Sequence, residues 1–103
     1  MIKAVFTKKN GAFCGFRISG HAEFADPGED IVCAAVSSAV QYATILITEC
    51  FHEQDTETDR DGVITVTLAS PAQGQASRVL AGLYQHLQFL SEDYPGTISL
   101  KLE

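Results

Sequence analysis

The sequence predicts an α+β domain of element order ββαββαβ, a mostly antiparallel sheet packed with two helices. Three observations predict it. Two short alternating runs joined by Asn10-Gly11 open the chain, and a second alternating pair surrounds Asp61-Gly62. Between them lies a long apolar segment, and after them an amphipathic stretch and a final alternating run. Strands and helices that separate in this way form one sheet with helices on it. At 103 residues the chain suits a single domain over positions 1–103 with one modest core.

Each element has its own reason. "IKAVFTK" places Ile2, Ala4 and Phe6 on one face, and "AFCGFRIS" places Cys14, Phe16 and Ile18 together, so Cys14 is expected in the core. "GHAEFADPGED" is rich in turn formers, and Pro27-Gly28 suits the centre of a type II turn. A helix is expected from Asp30, a good N-cap, through about Phe51. Ile31, Val32, Ala35, Val36, Ala39, Val40, Ala43, Ile45, Leu46 and Ile47 cover more than one stripe of it. Such a helix is expected to be buried on most sides, by the sheet and by a second subunit. "EQDTETD" and "VITVTLAS" flank Arg60-Asp61-Gly62 as a hairpin, with Ile64, Val66 and Leu68 inward. Ala76, Val79, Leu80, Leu83, Leu87 and Leu90 recur at helical spacing, weakened slightly by Gly74 and Gly82. After Pro95-Gly96, "TISLKLE" gives a last strand with Ile98, Leu100 and Leu102 on one face.

Composition excludes several function classes. The apolar fraction of 46% and charged fraction of 19% are those of a soluble globular protein. "MIKAVFTKKNGAF" has no apolar h-region, and polar residues from Ser37 to Glu49 interrupt the apolar segment, against a membrane span. Cys14, Cys33 and Cys50 are an odd set without a CxxC pair, which argues for reduced thiols in a cytoplasm. The net charge of −6 disfavours direct nucleic-acid recognition and suits a basic peptide partner. Neither a cofactor nor a metal is expected. Glu49, Cys50, His52 and Glu53 are ligand types, but their spacing is that of no known site. His86 falls on the polar face of the second helix.

The chemistry gathers at "SGHAEFADPGEDIVCAAVSSAV". With Asp30 as N-cap, Cys33 would be the third helical residue, where unpaired amides and the positive dipole end favour a thiolate. Such surroundings bring a cysteine pKa from about 8.5 into the range of roughly 3.5–7.5. A histidine brought close, His21, can take the proton and later return it to a leaving amine. Gly20, before it, lets the backbone swing out of the second strand. Asp30 either orients the imidazole or caps the helix, Ser37 lies one turn after Cys33, and first-turn amides suit an oxyanion hole. The same residues also fit a buried core cysteine and a surface histidine, and a non-catalytic binding module or a structural dimer then follows.

At "GHAEFAD…DIVCAAVS" the sequence resembles the ribosomal-processing cysteine protease (Prp) family, in element order and length across nearly the whole chain. The resemblance implies a homodimeric, cytoplasmic endopeptidase that removes the N-terminal extension of large-subunit ribosomal protein twenty-seven beside aromatic residues. It further implies Cys33 as nucleophile, His21 as general base, Gly20, Asp30 and Ser37 as supporting positions, and a loop from His21 to Glu29 that folds over the peptide.

Overall fold

The computed structural model describes residues 1–20, 27–71 and 74–103, with residues 27–30 described by their backbone. In chain order the elements are β1 (Ile2–Lys9), β2 (Ala12–Ser19), α1 (Pro27–Ile45), a π-helical turn (Leu46–Cys50), β3 (Asp55–Arg60), β4 (Val63–Leu68), α2 (Ala76–Asp93) and β5 (Ile98–Leu102). The ββαββαβ order is therefore the observed one. The five strands form one sheet in the order β3-β4-β2-β1-β5, antiparallel except for the β1–β5 pair.

Both hairpins turn on residues that tolerate positive φ. Asn10 (54°) with Gly11 (80°), and Asp61 (52°) with Gly62 (76°), give two-residue connections whose twist matches the flanking strands. On the inner face Ile2, Ala4, Phe6, Phe16, Ile18, Val66, Leu68 and Ile98 are buried. Phe6 is the hub: its ring stacks on Phe16 at 5.3 Å and meets Phe13 and Tyr84 edge-on. Leu102 lies on the core face in register with Phe6, as its spacing predicted, but at the end of the edge strand it is 46% exposed.

Cys14 corrects an expectation. The β1–β2 register shifts between Thr7 and Lys8, so that Thr7 faces Gly15 and Lys8 faces Phe13. Cys14 is the extra residue of this bulge, and the slip gives its place in the core to Phe13. The Cys14 thiol turns to the opposite face and donates a weak hydrogen bond to the Thr7 carbonyl at 3.4 Å.

The helix α1 departs from expectation at both ends and along its surface. It begins at Pro27, so Pro27-Gly28 is helical rather than a turn, and Asp30 lies inside the helix rather than at its cap. A proline is well suited to a first helical position, because it has no N–H to leave unpaired there. At the far end the α-helix passes into the π turn, where the Phe51 N–H bonds the Leu46 carbonyl at 2.9 Å. His52 then takes φ 54° and breaks the run. Between these ends Val32, Val36, Val40, Ala43 and Ile47 form a single buried stripe, while Ile31, Tyr42 and Ile45 are 58%, 65% and 44% exposed. Within one chain the helix is thus covered on one side rather than most. The stretch Ile31–Cys50 also has the length and mean hydropathy (20 residues, 1.8) of a membrane crossing. Its valine stripe, however, packs into this core.

The helix α2 follows the predicted spacing, with Ala76, Leu80, Leu83 and Leu87 buried. Its N-terminus is capped from a distance. The Glu53 carboxylate accepts the Gln75 and Ala76 backbone N–H groups at 2.6 and 3.0 Å. Gly74, ahead of the helix rather than in it, stands at φ +82° with Glu53 so close that an added Cβ would overlap the carboxylate.

Candidate active site

The site is built around the N-terminal half of α1. The helix α2 packs against β2, β5 and α1. Helical spacing then divides the residues of α1. Ala35, Ser38, Ala39, Tyr42 and Leu46 line a groove of about 650 Å³ shared with Arg78, Val79, Gly82, Leu83 and His86 of α2. Cys33, Ser37 and Thr44 fall on the other flank, away from α2.

On that flank Cys33 is half-buried, packed at its base against the core, and Ser37 one turn later is exposed. A free thiol so placed is anchored by the helix and still open to a reactant. Cys33 is the seventh helical residue, not the third, because α1 starts at Pro27. The amides of the first turn lie on residues 28–30, one turn before it, and the end-charge of the helix falls off within that first turn. Support of a thiolate by the helix end is therefore weaker than the sequence suggested. His21 and the loop through Asp26 lie outside the described residues, as do the side chain of Asp30 and the Cys33–His21 approach.

Gly20 shows how the chain leaves β2 toward His21. It adopts φ +94°, and a Cβ there would run into the Met1 carbonyl, with Ile2 Cα at 3.4 Å. Position 20 thus needs glycine twice over, for its conformation and for the close passage along β1. Gly20→Ala is expected to cost about 2 kcal/mol or more. It is also expected to impair any activity that depends on His21; thermal melting and peptide cleavage assays check the two effects separately.

The β3 edge of the sheet is acidic. Asp55, Glu57 and Asp59 face Leu68, Val66 and Ile64 in register and so point to the helix side of β3. Their spacing gave no signal in the sequence beyond a charged strand. Desolvation raises the Glu57 pKa above the usual carboxylate value, and the neighbouring Asp55 adds to it by charge repulsion and by a hydrogen bond to the protonated form. One oxygen of Asp55, Oδ2, is buried without a hydrogen-bond partner among the described residues. A carboxylate whose pKa is raised on folding stabilises the fold below its unfolded pKa, and this contribution is lost as pH rises through the folded pKa. Glu57→Gln is accordingly expected to raise Tm at pH 7 by about 1–2 °C and to leave it unchanged near pH 3. Calorimetry at both pH values reads the difference.

The far end of α1 holds no comparable constellation. Glu53 is engaged as the cap of α2, and Cys50 and Glu49 are exposed. No three side chains of metal-ligand type come together among the described residues.

The described geometry can be set beside known proteins. The family model described as "Cysteine protease Prp" matches residues 1–99. The ribosomal processing protease Prp from S. aureus, in complex with a substrate peptide, superposes with a TM-score of 0.92 at 24% identity, over 100% of both chains. The same protease with a covalently linked product peptide gives 0.89 at 24% identity, again over 100% of both. The protein SMU.848 from Streptococcus mutans gives 0.80 at 22% identity, over 99% of this chain and 96% of that one. No curated protein matches the chain in sequence. Since the family model takes in all but the last strand residues, the chain belongs to the Prp family and is a cysteine protease.

Proposed function

We propose that this chain is the endopeptidase that removes the N-terminal extension of large-subunit ribosomal protein twenty-seven during ribosome assembly. Cys33 is the nucleophile and His21 the general base. The observation that carries the reading is the position of Cys33: half-buried, on the flank of α1 that α2 leaves free, in a chain matched to a cysteine protease family over residues 1–99. Of the three free thiols, Cys14 lies in a β-bulge on the far face of the sheet and Cys50 in the π turn. Attack by the Cys33 sulfur on the peptide carbonyl forms a thioester and releases the amine, which takes its proton from the imidazolium. Water, deprotonated by the same histidine, then hydrolyses the thioester.

The peptide ligands of the S. aureus protease support a peptide substrate here. The row Asp55, Glu57 and Asp59 on the helix side of β3 supports a lysine-bearing one, because like charges held on an edge strand attract a basic chain. Gly20 acts by directing the chain that carries His21. Asp30 and Ser37 are supporting positions, Ser37 through its place one turn after the sulfur. The exposure of Ile31, Tyr42 and Ile45 on α1 supports a homodimer, since a monomer seldom leaves such a run of large apolar side chains in water. Reduced thiols support a cytoplasmic site of action.

The test is incubation with a synthetic peptide spanning the ribosomal protein's extension, read by mass spectrometry beside Cys33→Ala. A single cut by the native chain alone supports the reading, and binding without a cut replaces it with a non-catalytic peptide-binding role.

A further inference from the structure

The alternation of the strands sorts charge as well as hydrophobicity. The carboxylates of β3 lie on the helix side of the sheet. The opposite face, which no described element covers, carries Lys3 of β1, Arg17 of β2, Arg60 of β3 and Lys101 of β5, all exposed. These are four of the seven lysines and arginines in a chain of net charge −6. Scattered at positions 3, 17, 60 and 101, they form no cluster in the sequence; the sheet assembles them. Among the described strand residues and their ends, Glu103 is the carboxylate that shares this face.

Cross-strand register fixes the arrangement. Lys101, Val5, Arg17, Thr65 and Thr58 form one row across all five strands. At the usual strand separation the row is about 19 Å wide, with the two cations about 10 Å apart. Lys3 lies beside it between Ser99 and Ser19, and Arg60 lies opposite Val63. Between the cations the face is made of hydroxyls, including Thr7, Thr56 and Thr67, with only Val5 and Val63 as sizeable apolar side chains in these rows.

That composition selects among partners. A stable protein interface needs an apolar core, and a membrane surface needs apolar or aromatic anchors; this face has neither. Lysine and arginine interspersed with serine and threonine are the groups that contact phosphate and sugar. A broad, flat surface of this kind suits the shallow groove of duplex RNA, which is recognised through phosphates and 2′-hydroxyls rather than bases. We propose that the outer face of the sheet is a docking surface for the backbone of double-stranded RNA. The carboxylate-bearing side is left facing away, toward the peptide. The proposal goes beyond the processing reading and stands without it, because neither Arg17 nor Lys101 belongs to the proposed peptidase site.

The experiment is fluorescence anisotropy of a labelled RNA duplex of about 16 base pairs titrated with the full chain at several salt concentrations. Binding is expected to weaken with salt, with a log–log slope of about 3. R17Q/K101Q is expected to weaken it about tenfold at low salt. Q85E/Q88E makes the same change in net charge on the exposed side of α2 and is expected to leave affinity within about twofold. Circular dichroism checks that each variant folds. No binding by the native chain would overturn the proposal, as would equal weakening by both variants, since net charge alone would then govern. It would also fall if R17Q/K101Q left RNA affinity intact but abolished self-association or binding to phosphatidylserine vesicles. Peptide cleavage measured on the same variants is expected to be unchanged, so a failure here leaves the processing reading standing.

Discussion

Cys33→Ala is expected to lower kcat/KM for cleavage of the extension peptide by at least about 10⁴-fold, and His21→Ala by a similar factor. The double variant is expected to be no worse than either single one, because nucleophile and base act as a unit and their losses do not add. The fold is expected to survive. Cys33 sits on a flank of α1 and is only partly packed, so removing its sulfur deletes few buried contacts. A cost of about 1 kcal/mol or less follows from so small a truncation, visible as a small shift in thermal melting. The decisive measurement is single-turnover cleavage alongside that melt. A Cys33→Ala protein that melts normally and still cuts the peptide would remove Cys33 as nucleophile. One that loses activity only because it unfolds would return the residue to the core.

The second large effect is on stability. Phe6→Ala is expected to lower it by about 3–5 kcal/mol, against a total of roughly 5–15 kcal/mol for a domain. Phe6 is fully buried on the central strand pair and touches the rings of Phe13, Phe16 and Tyr84, so one truncation opens both the sheet face and its contact with α2. Phe6→Leu retains much of the volume and is expected to cost about 1.5 kcal/mol or more, the excess coming from lost ring–ring contacts. Urea denaturation of the two variants and the native chain gives the comparison, with an unchanged m-value as the sign that the effect lies in the folded state.

Both predictions draw on parts of the molecule that are legible in the amino-acid sequence to different degrees. The hairpins were, because Asn10-Gly11 and Asp61-Gly62 are among the few pairs that accept positive φ at both positions. The inward faces of β1 and β4 were, because their alternation is unbroken. The alternation of β2 is broken: Phe13 and Phe16 stand three apart, and two such rings can share a face only if one residue between them is extruded. That spacing announces the bulge that removes Cys14 from the core. Pro27 announced the true start of α1 in the same way, as a first-position proline more informative than Asp30 three residues later. Nothing local announced Glu53 as the cap of α2, since its partners are 22 and 23 residues away. At the candidate site, residue types were legible and placement was not. Cysteine and histidine name a chemistry, whereas the free flank of Cys33 depends on where α2 packs, and the acidic row of β3 on the register of its pairing with β4.

The parallel pairing of β1 with β5 has a kinetic consequence. The strand β1 is completed along one side only by β5, some 96 residues away in the chain, through Ile2–Ile98 to Phe6–Leu102. While the chain is still being translated, β1 and β2 can form their hairpin, and α1 can collapse onto it. The outer edge of β1 nevertheless stays open until β5 docks on it. This is the most non-local pairing in the sheet, and such contacts are slow to form because loop closure must precede them. The enzyme is therefore expected to become competent only once β5 has docked along β1, whatever the state of the hairpins and helices formed before it.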